Sequence, residues 1–295
     1  MNNSRTIKTA TIYKYILPIL IVYCIAIIIP IFVCFGISLT SWKGGRNIPF
    51  VGLKNYRNVI KDKVFWSSIL NNLRLIINMI IGQIGIAFIF SLIYSGKHVH
   101  FKEAHRRIIF LPAVLAPVVV GMIWQLIYRQ DIGILAMFFR KLGQERFIIP
   151  WLDSPRLSLT AISITLVWKY VGQYVVIIMA GMQNIDKSVI EASSIDGAGT
   201  IKQALYVIFP MLKPTIMVLL VMVISGCMKM FDMVYIMTNG GPGTSSMVAV
   251  LYSYNQAFEV QKIGYGSATA IGVVIISLVL IILMRKVTSR MGNND

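Results

Sequence analysis

The sequence predicts an all-α polytopic membrane protein with six transmembrane helices and a polar helical insert between the fourth and fifth. Three observations carry this. Of 295 residues, 57% are hydrophobic and only 13% charged, too few charges for a water-facing surface of this size. Six apolar runs are each long enough to cross a bilayer core, which takes about 20 helical residues. The runs are continuous instead of alternating at period two, so helices and not barrel strands must satisfy their backbone groups.

The first run, Tyr15 to Thr40, follows a basic segment, residues 1–14. It is too long for a signal-peptide core and has no small-residue cleavage site, so it reads as a retained span. The others are Asn72 to Tyr94, Ile108 to Tyr128, Leu157 to Met182, Thr215 to Met237 and Gly266 to Met284. Asn72, Asn78 and Gln83 on the second are expected to hydrogen-bond between helices. No loop is large enough for an independent domain. Residues 15–285 therefore form one expected membrane domain, with an insert at 184–214 and a tail at 286–295.

The net charge of +17 excludes little. The Lys and Arg residues lie between apolar runs, where they anchor loops at headgroups, so nucleic acid is not an expected partner. Thirteen fall on one set of loops and twelve on the other, with Arg74, Lys169 and Lys229 inside spans; positive charge does not orient the chain. Cys24, Cys34 and Cys227 lie in apolar runs without paired spacing. His98, His100 and His105 share one loop and match no zinc pattern. No metal site is expected.

The insert runs from Asn184 to Pro214. Asp186 is placed to cap a short helix, Gly197 and Gly199 to end it in left-handed backbone, and Thr200 to cap a second helix shaped by Pro210 and Pro214. Glu191-Ala192-Ser193, then Gly197, then Ile208-Phe209-Pro210 resembles the Glu-Ala-Ala loop of permease subunits of ABC-type importers. It departs from the family pattern in Ser193 and in one residue fewer before Pro210. Asp196-Gly197-Ala198 is the variant of the carbohydrate-uptake branch. Phe50 to Tyr56, Leu111-Pro112 through Trp124, and Phe231-Asp232 with Met237 to Pro242 resemble segments of the same branch in the same order. The resemblance covers residues 15 to 285 and is to the first permease of a maltose- or multiple-sugar-type pair.

That resemblance implies a function and partners. Glu191, Ala192, Asp196, Gly197, Ala198, Gly199 and Pro210 would form the ATPase-coupling element, docking in the cytosol and so placing both termini there, in a bacterial inner membrane. The partners implied are a second permease, two copies of an ATPase subunit that bind ATP and Mg, and an extracytoplasmic solute-binding protein. The chain itself has no phosphate loop; Gly197 to Lys202 lacks the spacing. It has no nucleophile–base pair and no paired catalytic carboxylates, so no enzymatic activity and no cofactor are expected of this subunit.

Polar groups within apolar runs point to a solute path. Lys169 and Gln173 lie one turn apart, flanked by Trp168 and Tyr170; Lys229 and Asp232 are three apart on the fifth run and placed to pair; Trp124 offers an aromatic face. Lys169 facing the cavity would suit a carboxylate or a hydroxyl-rich solute, whereas Lys169 snorkelling or bonded to backbone carbonyls would be structural. A phosphodiester or amino-acid conjugate remains an alternative solute. A carrier working alone would show inverted repeats and helices broken within the bilayer, whereas the break-rich segment here reads as lying outside it.

Overall fold

A computed structural model describes residues 9–96 and 101–292. His98, His100, the first eight residues of the basic segment and residues 293–295 of the tail lie outside the described residues. The regular structure among the described residues is helical, apart from one antiparallel bridge between Thr40 and Phe50. Four helices are long and apolar enough to cross a membrane, or six when two sharply bent helix pairs each count as one span.

The chain divides into two compact units. One comprises Met1–Asp62 with Ser253–Gly272, the other Lys63–Tyr252 with Val273–Asp295. In the first unit, α1 (Tyr15–Ser38) has none of its apolar window buried against protein. The segment that follows folds back on its end: Asn55 in α2 (Lys54–Lys61) donates to the Ser38 carbonyl at 2.7 Å and the Thr40 carbonyl at 2.8 Å, and the Tyr56 hydroxyl lies 2.6 Å from Ser38 Oγ. Gly52 makes the turn with φ of +56°. The Phe50 to Tyr56 motif thus satisfies carbonyls that a helix end leaves free.

The second unit begins with α3 (Lys63–Ser95), whose helix starts nine residues before the predicted span. Its first turns are too polar for a lipid window, yet Phe65, Ser68, Ile69 and Asn71 are buried. Protein contacts, not lipid, sustain them. The next run is α4 (Lys102–Val114) and α5 (Pro117–Tyr128), bent by 99°. The third predicted span is therefore broken inside its apolar run, contrary to the expectation that breaks lie outside the bilayer. Pro117 is the cause: it has no N–H for the preceding turn and forces Ala116 to extended backbone (ψ 135°). After α6 (Ile134–Lys141), the chain enters α7 (Ser158–Gln183), the most enclosed helix, with 61% of its apolar window buried.

Helix α7 is the axis of this unit. Asn78 of α3 donates to Ser163 Oγ at 2.9 Å and Gln83 to the Leu166 carbonyl at 3.2 Å. Asn72 donates to the Cys227 carbonyl at 2.7 Å and accepts from the Ala249 amide at 2.9 Å. All three side chains thus bond between segments as predicted. At Gly172 the backbone of α4 lies so close that a Cβ would overlap the Ile109 carbonyl.

The insert carries α8 (Lys187–Ile195) and α9 (Thr200–Met211), and α10 (Lys213–Met228) leaves it with a 73° bend at Leu212. The fifth predicted span is also interrupted: α10 ends at Met228 and α11 (Asp232–Thr238) follows. Asn239 and Gly240, both with positive φ, turn the chain, which is fastened by Ser246 Oγ donating to the Gly241 carbonyl at 2.8 Å. α12 (Ala249–Tyr254) and α13 (Ile263–Gly292) complete the chain.

Candidate functional site: a cavity beside a broken span, and an exposed helical insert

A cavity of about 230 Å³ opens between α3, α7 and α10. Its polar lining is Gln83, Tyr170, Gln173 and Tyr174, with Met79, Met222 and Met230 among the apolar residues. Sequence reasoning named Tyr170 and Gln173 for the solute path, and both line this cavity. It assigned Gln83 to packing alone, yet Gln83 bonds between helices and also lines the cavity. Tyr174 was missed, although it lies one turn beyond Tyr170 on the same helix face.

Lys169 is not among the lining residues. Its side chain is 1% exposed, and Nζ donates to the Pro112 carbonyl at 3.3 Å and to the Leu115 carbonyl. Nζ also lies 5.0 Å from the centre of the Tyr170 ring. Of the three placements that sequence left open, the structure has the carbonyl-bonded one. The described lining of the cavity is consequently uncharged, with amide and phenol groups that donate and accept hydrogen bonds.

Lys229 and Asp232 are both exposed and form no ion pair with each other. The break at residues 229–231 removes the helical turn that would have joined them. Trp124 stacks edge-on to Trp168 with ring centres 5.5 Å apart and lies 5.2 Å from Tyr128. Its buried Nε1 has no hydrogen-bond partner. Trp168 itself borders a separate apolar groove with Phe90, Tyr94 and Pro112. The predicted path residues thus fall in four places: Tyr170 and Gln173 at the cavity, Lys169 on the carbonyls at the end of α4, Trp124 and Trp168 in an aromatic row, Lys229 and Asp232 at a helix break.

The insert is built from local signals. The Asp186 carboxylate accepts from the Ser188 amide at 2.9 Å, capping α8 as predicted. Gly197, with φ of +78°, ends it: the Ala198 amide donates to the Ser193 carbonyl at 3.0 Å and the Gly197 amide to the Ser194 carbonyl at 3.1 Å. This is the crossed pair of a Schellman cap. Gly199 departs from expectation. Its φ of −69° is not left-handed, and it serves as the N-cap of α9, with Thr200 the first helical residue. Gln203, which sequence reasoning did not single out, joins the two helices by donating to Ser194 Oγ at 2.6 Å. Glu191, Ala192, Asp196 and Gly197 are exposed, and Ile195 is 86% exposed and Ile201 75%. Ala198 and Pro210 are half-buried.

The Ser188 bonds hold the Asp186 pKa below the usual carboxylate value. A folded-state pKa below the unfolded one (about 3.9) means that the cap stabilises fully above the unfolded value and is lost as pH falls through the folded one. Hydrogen exchange at the first amides of α8 should therefore accelerate relative to α7 as pH falls below the usual carboxylate range. The Asp186→Ala variant should show fast exchange there at every pH. An α8 whose protection is unchanged in that variant would dismiss the cap.

Apolar helices around a neutral, partly polar cavity, with an exposed helical insert, fit a membrane transport subunit. The family model of binding-protein-dependent transport system inner membrane components matches residues 83–293, and the chain belongs to that family. It is a permease, a transport subunit and not an enzyme, whose ATPase is a separate subunit. A probable ABC transporter permease of Pyrococcus horikoshii is 34% identical over 278 residues, 90% of this chain and 94% of that protein. The trehalose/maltose transport system permease protein MalF of Thermococcus litoralis is 29% identical, covering 93% and 92%. A crystal structure of a bacterial ABC transporter involved in the import of the acidic polysaccharide alginate shares the fold, with a TM-score of 0.80 at 19% identity and 95% of each chain covered.

Proposed function

We propose that this permease forms part of the translocation path of an ATP-driven importer for a neutral sugar or oligosaccharide, working by alternating access. The observation that carries the solute class is the uncharged lining of the cavity. Two glutamine amides and two tyrosine hydroxyls suit a ligand rich in hydroxyls, and their ring faces suit the apolar face of a sugar. A phosphodiester or a carboxylate would call for a fixed cation, and Lys169 is committed to backbone carbonyls. The transport systems of relatives, one for trehalose and maltose and another for arabinooligosaccharides, support the same class.

In this reading residues 15–285 are one permease domain of six spans, with α4 and α5 together as the third and α10 with α11 as the fifth. A second permease completes the path. The insert 184–214 meets one of two ATPase subunits, which bind ATP and Mg, and an extracytoplasmic binding protein delivers the solute. Glu191 through Gly199 with Pro210 form the coupling element, so the insert and both termini are cytosolic in a bacterial inner membrane. The exposed Ile195 and Ile201 supply apolar contact, and Glu191 a charge-assisted bond to the ATPase. Lys229 and Asp232, exposed on this chain alone, border the water-filled path shared with the second permease, where charges are tolerated and where their opposite signs add no net charge. ATP binding must favour one packing of the spans through contacts that differ between the two states.

The test is purification from native membranes by gentle solubilisation, identification of companions by mass spectrometry, and reconstitution with labelled maltose, trehalose, arabinotriose and glycerophosphocholine. The expected result is an ATPase and a second permease in the complex and ATP-dependent uptake of an oligosaccharide. Preferred uptake of glycerophosphocholine would refute the solute class. Transport by this chain alone, without an ATPase, would refute the importer.

A further inference from the structure

The two halves of the broken third span differ in their main neighbours, although both touch α7: the Tyr128 hydroxyl at the end of α5 donates to the Ala161 carbonyl at 3.0 Å. Helix α4 lies against α7, where Gly172 admits the Ile109 carbonyl. Helix α5 packs on α11: a Cβ on Gly121 would lie 2.9 Å from Ile236 Cγ2, and Gln125 Nε2 donates to the Ile236 carbonyl at 2.6 Å. Both α5 and α11 follow an interruption, at residues 115–116 and at residues 229–231 respectively. The pair is thus joined to α4 and α10 through two breaks.

One side chain closes the first break. Pro117 has no N–H to offer the end of α4, and the amide of Leu115 bonds the Pro112 carbonyl only at 3.3 Å. Lys169, projecting from the middle of α7, donates to that same Pro112 carbonyl and to the Leu115 carbonyl beyond it. It forms no ion pair with a carboxylate among the described residues. A buried lysine with no counter-charge is costly in an apolar run, and here its donors go to backbone oxygens that a helix break leaves short of partners.

We infer that Lys169 is a positioning residue of the transport cycle: it caps the end of α4 and holds the bend between α4 and α5 at one angle, so that both halves of the broken span stay seated on α7 through the cycle. This rests on the importer reading above. Tyr170 and Gln173, on the same helix, are left to touch solute.

The test uses the complete complex in lipid nanodiscs, with nitroxides on genetically encoded ketone residues at the exposed positions Leu111 of α4 and Leu126 of α5. Inter-spin distances are read without nucleotide and after trapping with Mg-ATP and vanadate. Uptake per ATP is measured with the oligosaccharide of the panel above that the wild type moves. The wild type should give a narrow distance distribution. Lys169→Met, which keeps the bulk and removes the donors, should broaden it and lower uptake per ATP by about tenfold, with half-saturation unchanged. Lys169→Arg, which keeps donors, should restore both. A narrow distribution in Lys169→Met with raised half-saturation would make Lys169 a solute contact and overturn the proposal. So would a lower yield of complex with normal coupling in each complex assembled, which would leave only a structural role. Should the wild type bind no ATPase, the importer reading fails, while the distances in the chain alone still decide whether Lys169 holds the break.

Discussion

Gly197→Val is expected to detach the ATPase while the membrane helices stay folded. Gly197 sits at φ of +78° and donates one of the two crossed bonds that close α8. No atom lies within 4 Å of where a Cβ would stand, so the substitution acts through the backbone and not through a clash. A left-handed conformation costs a residue with a Cβ roughly 1–2 kcal/mol, more for a β-branched one. That energy, roughly a factor of ten or more in an equilibrium, favours unwinding the last turn of α8. Ser194, which Gln203 holds, and Ile195 lie in that turn. Recovery of the ATPase with the purified permease should fall by about that factor, and Gly197→Asn should fall less, because asparagine tolerates the left-handed region. The unfolding midpoint of the membrane body should not change. Full ATPase recovery with Gly197→Val would remove the Schellman turn from the coupling surface.

Gly172→Leu is expected to abolish accumulation of folded protein. A Cβ at Gly172 would overlap the Ile109 carbonyl oxygen and lie 2.5 Å from its carbon and 2.8 Å from Phe110 Cα. These are backbone atoms of α4, which Lys169 also ties to α7, so relief requires moving a whole helix. Overpacking costs about 1–3 kcal/mol and occasionally more where side chains alone must adjust, and here they cannot. Gly172→Ala should already lower the unfolding midpoint measurably. Gly85→Ala is the control: no neighbour lies within 4 Å of its Cβ position, so it should not destabilise and should gain up to about 1 kcal/mol from helix propensity. Equal effects of the two alanine substitutions would show that α4 and α7 do not meet as closely as described.

The insert was legible almost residue by residue because its structure is set by neighbours in sequence. A carboxylate two residues before an amide it can accept from, and a glycine where the helix must turn left-handed, are read without knowing the fold. Gly199 was misread because two glycines competed for one role, and only the backbone path decided that Gly197 takes the positive φ. The interhelical role of Asn72, Asn78 and Gln83 was legible for a different reason: amides in an apolar helix must find partners wherever they land. Their particular partners, Cys227, Ser163 and Leu166, were not.

The sequence by itself determined the solvent, the helical class and the family pattern, because hydropathy, glycine and proline placement, and capping act over a few residues. The tertiary structure decided which way the polar groups point. Lys169 and Tyr170 are adjacent in sequence, yet one is bonded to a helix end and the other lines the cavity. Lys229 and Asp232 have the spacing of a pair, yet a helix break lies between them. Hydropathy sees residue type and spacing. Whether a lysine meets a solute or a carbonyl depends on where another helix breaks, and that break takes its meaning from packing between segments 54 and 57 residues apart in the chain.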